Sequence, residues 1–340
     1  MVSPYALDVP GGVQQQVMGL VERLRDKDHD AFAVAPGAGE GSDRIDVGRW
    51  VSVRANRSKS PVALSPAAAG RVAKALSSAD VVHVHEPFVP LVGWAALAVR
   101  KPRVVTFHAD PSPSVKAAYR ASSRILHRTL RGCLATTVSR TARRAIDPLQ
   151  VRPEEIPNAI DVGSFQVTAE RNPRQVAFVG RPDPRKGRDL LLDAWPEVRS
   201  RVPDAELAVV GGGDEPPVAG VRYLGRVTEE EKRAVLAASA LFCAPNRGGE
   251  SFGITVAEGM AAGCAIVASD LGAFSDVLAG SGLVFPNGDR AALAAALVQV
   301  LADTDLRQRL AAASSDRVLA FDWKMVTDRY LALYMEAVSR

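Results

Sequence analysis

One stretch decides the fold of this chain: Arg247-Gly-Gly-Glu250-Ser-Phe-Gly253-Ile-Thr-Val-Ala-Glu258-Gly-Met-Ala-Ala-Gly263. It follows an apolar run (residues 234–245) that predicts a helix and a buried strand, and it precedes another apolar strand, residues 265–269. Glycines where a loop becomes a helix let the backbone approach a ligand, and the free amides of a helix start favour an anion. If the helix begins near Gly253, Glu258 lies about 7 to 8 Å further along its axis. A diphosphate at the helix start would then place a ribose near Glu258 and a sugar near Glu250, whereas the alternative is a solvated loop with surface glutamates.

The two glutamates and their spacing resemble the E-x7-E signature of retaining glycosyltransferases of family 4. The resemblance covers nearly the whole chain and is strongest to the bacterial phosphatidylinositol mannosyltransferases. It implies an α/β fold of the GT-B class, in which two Rossmann-like doubly wound domains face a cleft. It also implies an enzyme, a hexosyltransferase, that moves a sugar from a nucleotide donor to an acceptor.

Composition and length fit a two-domain protein. The chain has 340 residues, enough for two α/β cores, and no apolar run approaches the roughly 20 residues that span a bilayer. The N-terminus does not resemble a signal peptide. Three cysteines without metal-ligand spacing, Cys133, Cys243 and Cys264, are typical of buried thiols in a reducing compartment. We therefore expect a cytoplasmic protein, with peripheral contact at the inner face of the plasma membrane as a further expectation.

The charge is unevenly distributed along the chain. Residues 1–160 hold 22 Lys/Arg and 14 Asp/Glu, a net charge of +8, whereas residues 161–340 hold 20 and 24, a net of −4. A basic first half suggests an anionic partner, such as a membrane surface or phosphate groups, although a chance imbalance is equally compatible with the numbers. Aromatic-basic interleaving and nucleic-acid motifs were not found, so a nucleic-acid partner is not expected. The arginines of a predicted helix at residues 120–131 form either a solvated face or an acceptor contact.

The N-terminal segment carries the first group of candidate residues. A Pro-Gly-Gly loop leads into an amphipathic helix predicted from about Val13 to Asp26, a turn compatible with phosphate. The resemblance implies that Gly12 packs against the donor diphosphate. It implies acceptor contacts for Tyr5, Asp8, Gln14, Asn56 and Lys116. Family members carry a full β-strand before this loop, whereas here Met1-Val2 alone precede Ser3, so either the start is assigned too late or a central strand is truncated and leaves ladder groups unpaired.

Two strands of the first half end in histidines. His83 and His85 share one strand face, a spacing that can bind a metal but is more typical of structural histidines. The strand at residues 103–107 delivers His108 to its C-terminal end, where ligands bind in open α/β sheets. The resemblance implies that His108 is the active-site histidine of a T-x-H motif; a core histidine is the alternative. The following Ala109-Asp110 replaces the Thr-Ser of the mannosyltransferases and changes the polarity expected at the acceptor.

The second half carries the donor candidates. A buried strand at residues 175–179 leads into Gly180-Arg181-Pro-Asp-Pro-Arg-Lys186-Gly187, a cationic turn suited to a diphosphate. By resemblance it is the family's G-R-…-K-G motif, with catalytic roles for Arg181, Lys186, Glu250 and His108. The resemblance further implies donor contacts for a set on the later elements: Val227, Lys232, Phe252, Gly253, Ile254 and Glu258.

These observations predict two domains: residues 1–160, which bind the acceptor, with a C-terminal helix at 322–340 crossing back onto them, and residues 170–321, which bind the donor. The predicted reaction is retaining transfer, with mannose from GDP-mannose as the donor sugar and phosphatidylinositol or a related lipid as acceptor. No metal or cofactor is expected, and the predicted partners are a nucleotide sugar, a lipid or small-molecule acceptor and a weakly bound anionic membrane, with a monomeric protein. Three alternatives stay open: a UDP-sugar enzyme with a non-lipid acceptor, a GT-B-fold sugar-nucleotide epimerase, and a non-catalytic nucleotide- or lipid-binding scaffold.

Overall fold

The computed structural model of the protein describes residues 1–39, 41–55, 58–212 and 216–340. Its strands are β1 Ala33–Ala35, β2 Arg44–Asp46, β3 Val51–Ala55, β4 Ser58–Val62, β5 Val82–His85, β6 Arg103–Phe107, β7 Cys133–Thr137, β8 Glu154–Glu155, β9 Asn172–Val179, β10 Glu206–Val210, β11 Val221–Gly225, β12 Ser239–Ala244, β13 Ala265–Ser269 and β14 Leu283–Phe285. Its helices are α1 Gly12–Arg25, α2 Pro66–Ala75, α3 Val92–Ala98, α4 Pro113–Ala121, α5 Ser123–Thr129, α6 Arg140–Ile146, α7 Arg188–Arg201, α8 Glu229–Ala238, α9 Ile254–Ala261, α10 Gly272–Leu278, α11 Arg290–Ala302, α12 Thr304–Val318 and α13 Trp323–Ser339.

The chain divides into two compact units. The first unit comprises residues 1–159 together with 323–340, and the second comprises residues 160–322. Helix α13 therefore belongs to the first unit, where it packs against α1, β6 and β7. Gly19 on α1 allows this packing, because a side chain there would overlap the indole ring of Trp323.

The sheet of the first unit is parallel, and one residue at its centre, Val2, connects two groups of strands. Strands β5, β6, β7 and β8 are neighbours in that order, and β1 pairs with β2. Val2 bridges the two groups: its N–H donates to the His83 carbonyl at 2.7 Å, its carbonyl accepts from His85 at 3.0 Å, and it also pairs with Val34. The expectation of unpaired ladder groups at a truncated central strand is therefore wrong at these positions. With Val2 as first strand, the order is that of a doubly wound sheet.

The sheet of the second unit has six parallel strands in the order β11-β10-β9-β12-β13-β14. This is the doubly wound order 3-2-1-4-5-6, whose ligand crevice lies outside the carboxyl ends of strands one and four. In this unit those strands are β9 and β12. Apolar side chains on both faces fill the core, among them Trp195 of α7, which is fully buried.

Local sequence explains where several of these elements begin, divide and end. Thr228 and Glu231 form a capping box that starts α8. Strands β2 and β3 are separated at Gly48, which adopts φ +119°. The helix predicted at 120–131 is two helices, α4 and α5, that meet at Ser122. Among the described residues no helix is long and apolar enough to cross a membrane.

Candidate active site

Two loops meet at the switch point of the second unit. The loop after β9 carries Lys186, and the loop after β12 carries Asn246 and Glu250. Lys186 Nζ donates to Glu250 Oε1 at 2.5 Å, and Asn246 Nδ2 donates to the same oxygen at 2.7 Å. Asn246 is itself buried and is held by Ser269, whose hydroxyl donates to the Asn246 carbonyl at 2.6 Å. The carboxylate of Glu250 is thus fixed by two donors at the edge of the sheet where a ligand is expected.

The close approach of these loops depends on a glycine. Gly187 has φ +69°, and a Cβ atom on it would overlap the backbone carbonyl of Pro245. The backbone N–H of Arg247 donates to the Arg185 carbonyl at 2.7 Å, which ties the two loops together. Asp183 accepts from Arg185 within the first loop at 2.5 Å, and this contact lowers the pKa of Asp183 to about 2. The cationic turn is therefore stabilised by contacts within the loop and with the loop after β12.

Helix α9 follows directly and begins at a glycine. Gly253, the residue before Ile254, adopts φ +103°, and a Cβ atom there would lie 2.9 Å from the Phe274 ring. Phe252 is buried and packs edge-on against Phe321 at 5.4 Å. A glycine at this point leaves the free amides of the first helical turn accessible to an anion.

Glu258, on the second turn of α9, is buried beside a lysine. Its Oε1 accepts from Lys232 Nζ at 2.8 Å, and Lys232 also contacts Glu229 at 2.7 Å. Glu258 Oε2 is buried and has no hydrogen-bond partner among the described residues. Burial raises the pKa of Glu258, although the charge of Lys232 opposes this effect. Burial alone would lower the pKa of Lys232, but the neighbouring carboxylates outweigh it and raise the pKa. An unpartnered buried oxygen is unusual and is suited to accept a ligand hydroxyl.

The remaining donor candidates of the second unit lie on adjoining loops. Arg181 is exposed at the start of the cationic turn, and Val227 is half-buried between β11 and α8. The structure thus joins Lys186 with Glu250 and Lys232 with Glu258 by direct contacts. Asn246 was not predicted; its position at the end of a buried strand was the available signal.

His108, at the end of β6 in the first unit, lies in a chain of buried polar side chains. Its Nδ1 is 3.1 Å from Asn158 Oδ1, and its Nε2 is 2.8 Å from His85 Nδ1. With Asn158 accepting, His108 carries its proton on Nδ1 and its Nε2 accepts from His85. Burial lowers the pKa of His108 to about 4, so the ring is neutral at pH 7. Both ring nitrogens are occupied, which leaves the His108 backbone carbonyl and ring face for a ligand.

The contacts of His83 and His85 are those of structural histidines, the interpretation that the sequence favours over a metal site. His83 lies between the hydroxyls of Tyr334 and Thr106 at 2.7 and 2.6 Å, and its ring centroid is 4.1 Å from that of His85. Burial holds the pKa of both histidines well below the usual value. The two rings belong to the polar chain that reaches His108.

As it missed Asn158, sequence reasoning missed Glu86, which contacts the backbone at His108. Its Oε1 accepts from the backbone N–H groups of His108 at 2.6 Å and Ala109 at 2.7 Å. The residue is buried, burial raises its pKa, and its backbone has φ +48°, which is uncommon for a non-glycine residue. Such strain at a strand end is typical of functional sites. The sequence signal was its place after His85 at the end of a buried strand.

The acceptor candidates that the structure describes have different local settings within the first unit. Burial, with a smaller contribution from the charge of Glu86, raises the pKa of Tyr5. Asp8 accepts from the Trp50 indole at 3.0 Å, and Lys116 pairs with Asp110 at 2.5 Å. Of the remaining two acceptor candidates, Gln14 donates to the carbonyls of Ala6 and Val9 and so shapes the loop, and Asn56 lies outside the described residues. Gly12, the donor candidate of this unit, is exposed at the start of α1.

Comparison with known proteins identifies the family. Residues 10–164 match the family model described as Glycosyltransferase Family 4, and residues 173–303 match Glycosyl transferases group 1. The phosphatidyl-myo-inositol mannosyltransferase of Mycolicibacterium smegmatis is 39% identical, over 100% of this chain and 93% of that protein. The chain belongs to glycosyltransferase family 4. The protein of the same name from Propionibacterium freudenreichii is 35% identical over 99% and 94%.

Solved structures agree on the fold of this family 4 chain. Anabaena HepE, solved in complex with UDP and glucose, has a TM-score of 0.75 and 17% identity, and the match covers 98% of both chains. The predicted GT-B fold is thereby confirmed. The predicted enzyme class, a hexosyltransferase of family 4, is confirmed by the relatives.

Proposed function

We propose that this family 4 glycosyltransferase transfers mannose from GDP-mannose to phosphatidylinositol, or a closely related lipid, with retention of configuration. The observation that carries the proposal is the Lys186–Glu250 contact at the carboxyl ends of β9 and β12. It joins a cation and a hydroxyl-binding carboxylate at the switch point of a doubly wound sheet, where a nucleotide sugar binds in such folds. Mannose and the lipid acceptor are inferred from the names of the relatives given above, and GDP as the nucleotide from the family resemblance.

In the proposed reaction, the bond between the anomeric carbon and the diphosphate oxygen breaks, and an acceptor hydroxyl oxygen bonds to that carbon on the same face. The hydroxyl proton passes to the departing diphosphate. Arg181, Lys186 and the amides at the start of α9 supply positive charge to the leaving group, so no metal ion is required in this scheme. Glu250 accepts hydroxyls of the sugar, and Glu258 Oε2 accepts a ribose hydroxyl.

The first unit would hold the acceptor near His108. The neutral imidazole, fixed by His85 and Asn158, presents a defined, uncharged surface to the acceptor. Lys116 is the nearby cation for a lipid phosphate, although Asp110 already pairs with it. An incoming phosphate therefore has to share or displace Asp110, which favours acceptors that also offer hydroxyls to that carboxylate.

Calorimetric titration with GDP, UDP and ADP tests the donor assignment. We expect GDP to bind at least about tenfold more tightly than the other two, a difference of roughly 1.4 kcal/mol. A preference for UDP would replace the mannosyl assignment with a UDP-sugar enzyme. Loss of GDP binding in Glu258→Gln, with the exposed Glu229→Gln as a control, would locate the nucleotide on α9.

A further inference from the structure

Glu86 lies at the ligand-binding crevice that the fold gives to the first unit. With Val2 as strand one of the doubly wound order, β5 is strand four, and the crevice opens outside the carboxyl ends of these two strands. Glu86 is the first residue after β5, and residues 3–5 follow Val2. His108 follows β6, the next strand of the sheet. Glu86 is therefore the carboxylate at the switch point of this unit, and the proposed chemistry does not use it.

One oxygen of the Glu86 carboxylate is engaged by the protein and the other is not. Oε1 accepts from the backbone N–H groups of both His108 and Ala109, which fixes the orientation of the carboxylate. Oε2 accepts no hydrogen bond from the residues that the structure describes. Burial of a carboxylate is costly unless hydrogen bonds surround it, and this residue is only 7% exposed. The arrangement therefore lacks a donor at Oε2, which a ligand can supply.

The uncommon backbone conformation of Glu86 is fixed from both sides. At φ +48°, its N–H donates to the Thr106 carbonyl at 2.9 Å, and its carbonyl accepts from the Val89 N–H at 3.1 Å. Helix α3 packs closely on the same turn, because a Cβ atom at Gly93 would lie 2.5 Å from the Pro87 carbonyl oxygen. A strained residue persists only where its surroundings hold it, and such residues cluster at ligand-binding sites. The side chain is thus held in place before a ligand arrives.

We propose that Glu86 Oε2 accepts a hydrogen bond from a ring hydroxyl of the acceptor, at a position that does not react. A hydroxyl held there lies beside His108, because the other oxygen of the same carboxylate is 2.6 Å from the His108 backbone nitrogen. Glu86 is not the base, since the reacting proton passes to the diphosphate in the proposed reaction. A fixed contact to a second hydroxyl orients the ring and so selects which hydroxyl reacts. Glu86 thereby favours polyhydroxylated acceptors, a role that rests on the proposed function.

Steady-state mannosyl transfer by the full chain to phosphatidylinositol in detergent micelles tests this role in Glu86→Gln. The amide keeps an oxygen for the two backbone N–H groups and replaces Oε2 with an NH2 group, which cannot accept from a hydroxyl. We expect the KM for the acceptor to rise about tenfold, with the Kd for GDP within about twofold of wild type. Glu154→Gln, which breaks an exposed ion pair with Arg329 in the same unit, is the matched control and should leave the acceptor KM unchanged. An unchanged acceptor KM in Glu86→Gln overturns the proposal.

Analogues of the lipid separate a hydroxyl contact from a merely structural role. Phosphatidylinositols that each lack one non-reacting ring hydroxyl are compared as acceptors. Wild type should use at least one of them with a kcat/KM about tenfold lower, and Glu86→Gln should no longer discriminate against that analogue. Equal discrimination by wild type and variant would show that Glu86 only holds the turn. Uniform use of all the analogues by wild type also overturns the proposal, whether or not Glu86→Gln folds.

Ligand-observed NMR with myo-inositol distinguishes failure of this role from failure of the proposed function, because it needs no turnover. We expect wild type to bind myo-inositol and Glu86→Gln to bind it at least about fivefold more weakly. If wild type transfers no mannose but binds myo-inositol through Glu86, the proposed function fails and the role of Glu86 stands. If Glu86→Gln transfers mannose with a normal acceptor KM, the proposed function stands and this role fails. Absence of both transfer and binding in wild type contradicts both.

Discussion

Lys186 Nζ lies 2.5 Å from Glu250 Oε1, although 64 positions separate the two residues in the sequence. The contact connects the loops that follow the first and fourth strands of a doubly wound sheet. The two side chains are 21% and 15% exposed, so the pair is largely shielded from solvent but not fully buried. This arrangement places a cation and a carboxylate where a sugar diphosphate is expected to bind.

Removal of either partner of this pair should abolish most activity. Lys186→Ala and Glu250→Ala are each expected to lower kcat by about a hundredfold or more, because each removes a group proposed to act on the reacting sugar diphosphate. Steady-state mannosyl transfer measures the effect, and circular dichroism checks the fold. Arg201→Ala, which breaks an exposed ion pair with Glu197, is the control and should leave kcat unchanged. Near wild-type turnover in either of the first two variants would refute their catalytic roles.

Glu258→Gln should weaken nucleotide binding rather than turnover. Its buried Oε2 is proposed to accept a ribose hydroxyl, and a neutral amide is a poorer acceptor than a carboxylate. We expect the Kd for GDP to rise about tenfold, with kcat at saturating donor within about threefold of wild type. Glu229→Gln removes the other, exposed partner of Lys232 and should leave the Kd unchanged. If both variants lose affinity equally, the effect comes from Lys232 rather than from the ribose contact.

Gly187→Ala should be strongly destabilising. The residue has φ +69°, and the added methyl group overlaps the Pro245 carbonyl. Left-handed backbone alone costs roughly 1 kcal/mol, and the overlap should bring the loss of unfolding free energy to about 3 kcal/mol or more. Gly288→Ala isolates the backbone effect, since its φ is +82° with open space around the Cβ. Urea denaturation compares the two, and equal losses would show that the close approach at Pro245 does not constrain the loop.

The buried histidines His83, His85 and His108 predict that the protein loses stability in acid. Burial lowers the pKa of His108 to about 4 from an ordinary 6.5, so the unfolded state binds the proton more tightly. The stability is present above pH 6.5 and is lost as the pH falls toward 4, by about 3 kcal/mol for this residue. His83 and His85 act in the same direction, whereas Glu86, whose pKa is raised, partly offsets them.

Urea denaturation between pH 7.5 and 5 measures this dependence. His108→Gln should reduce the pH slope, because one of the buried titrating groups is gone, while His29→Gln, at an exposed position, should keep the wild-type slope. Unfolding free energy that does not change between pH 7.5 and 5 would mean that these rings are not held neutral by burial.

The sequence predicted the parts of this protein whose signals are local. The E-x7-E stretch, the cationic turn with Lys186 and the strand ending in His108 each combine an apolar strand with polar residues directly after it, and this pattern is visible without a structure. Residues joined by topology were not found. Asn158 reaches His108 only because strands distant in sequence end at the same edge of a sheet. Asn246 reaches Glu250, four residues later, through the path of the loop after β12, which the sequence pattern does not reveal.

Two further features depend on geometry that a sequence does not encode locally. Glu86 has a backbone with φ +48°, and its carboxylate accepts hydrogen bonds from the backbone N–H groups of His108 and Ala109. Val2 completes the first sheet with one residue, although Met1-Val2 looked too short to pair with both neighbours. Pairing there follows from the register of β1 and β5, which composition and periodicity do not reveal.

Analysis of the transfer product tests the central claim most directly. The protein is incubated with GDP-mannose and vesicles that contain phosphatidylinositol, and the glycolipid formed is identified by mass spectrometry and its anomeric configuration by NMR. We expect a mannosylated phosphatidylinositol whose new bond has the α configuration of the donor. A β-linked product would contradict the retaining reaction, and consumption of a UDP-sugar with none of GDP-mannose would contradict the assigned donor.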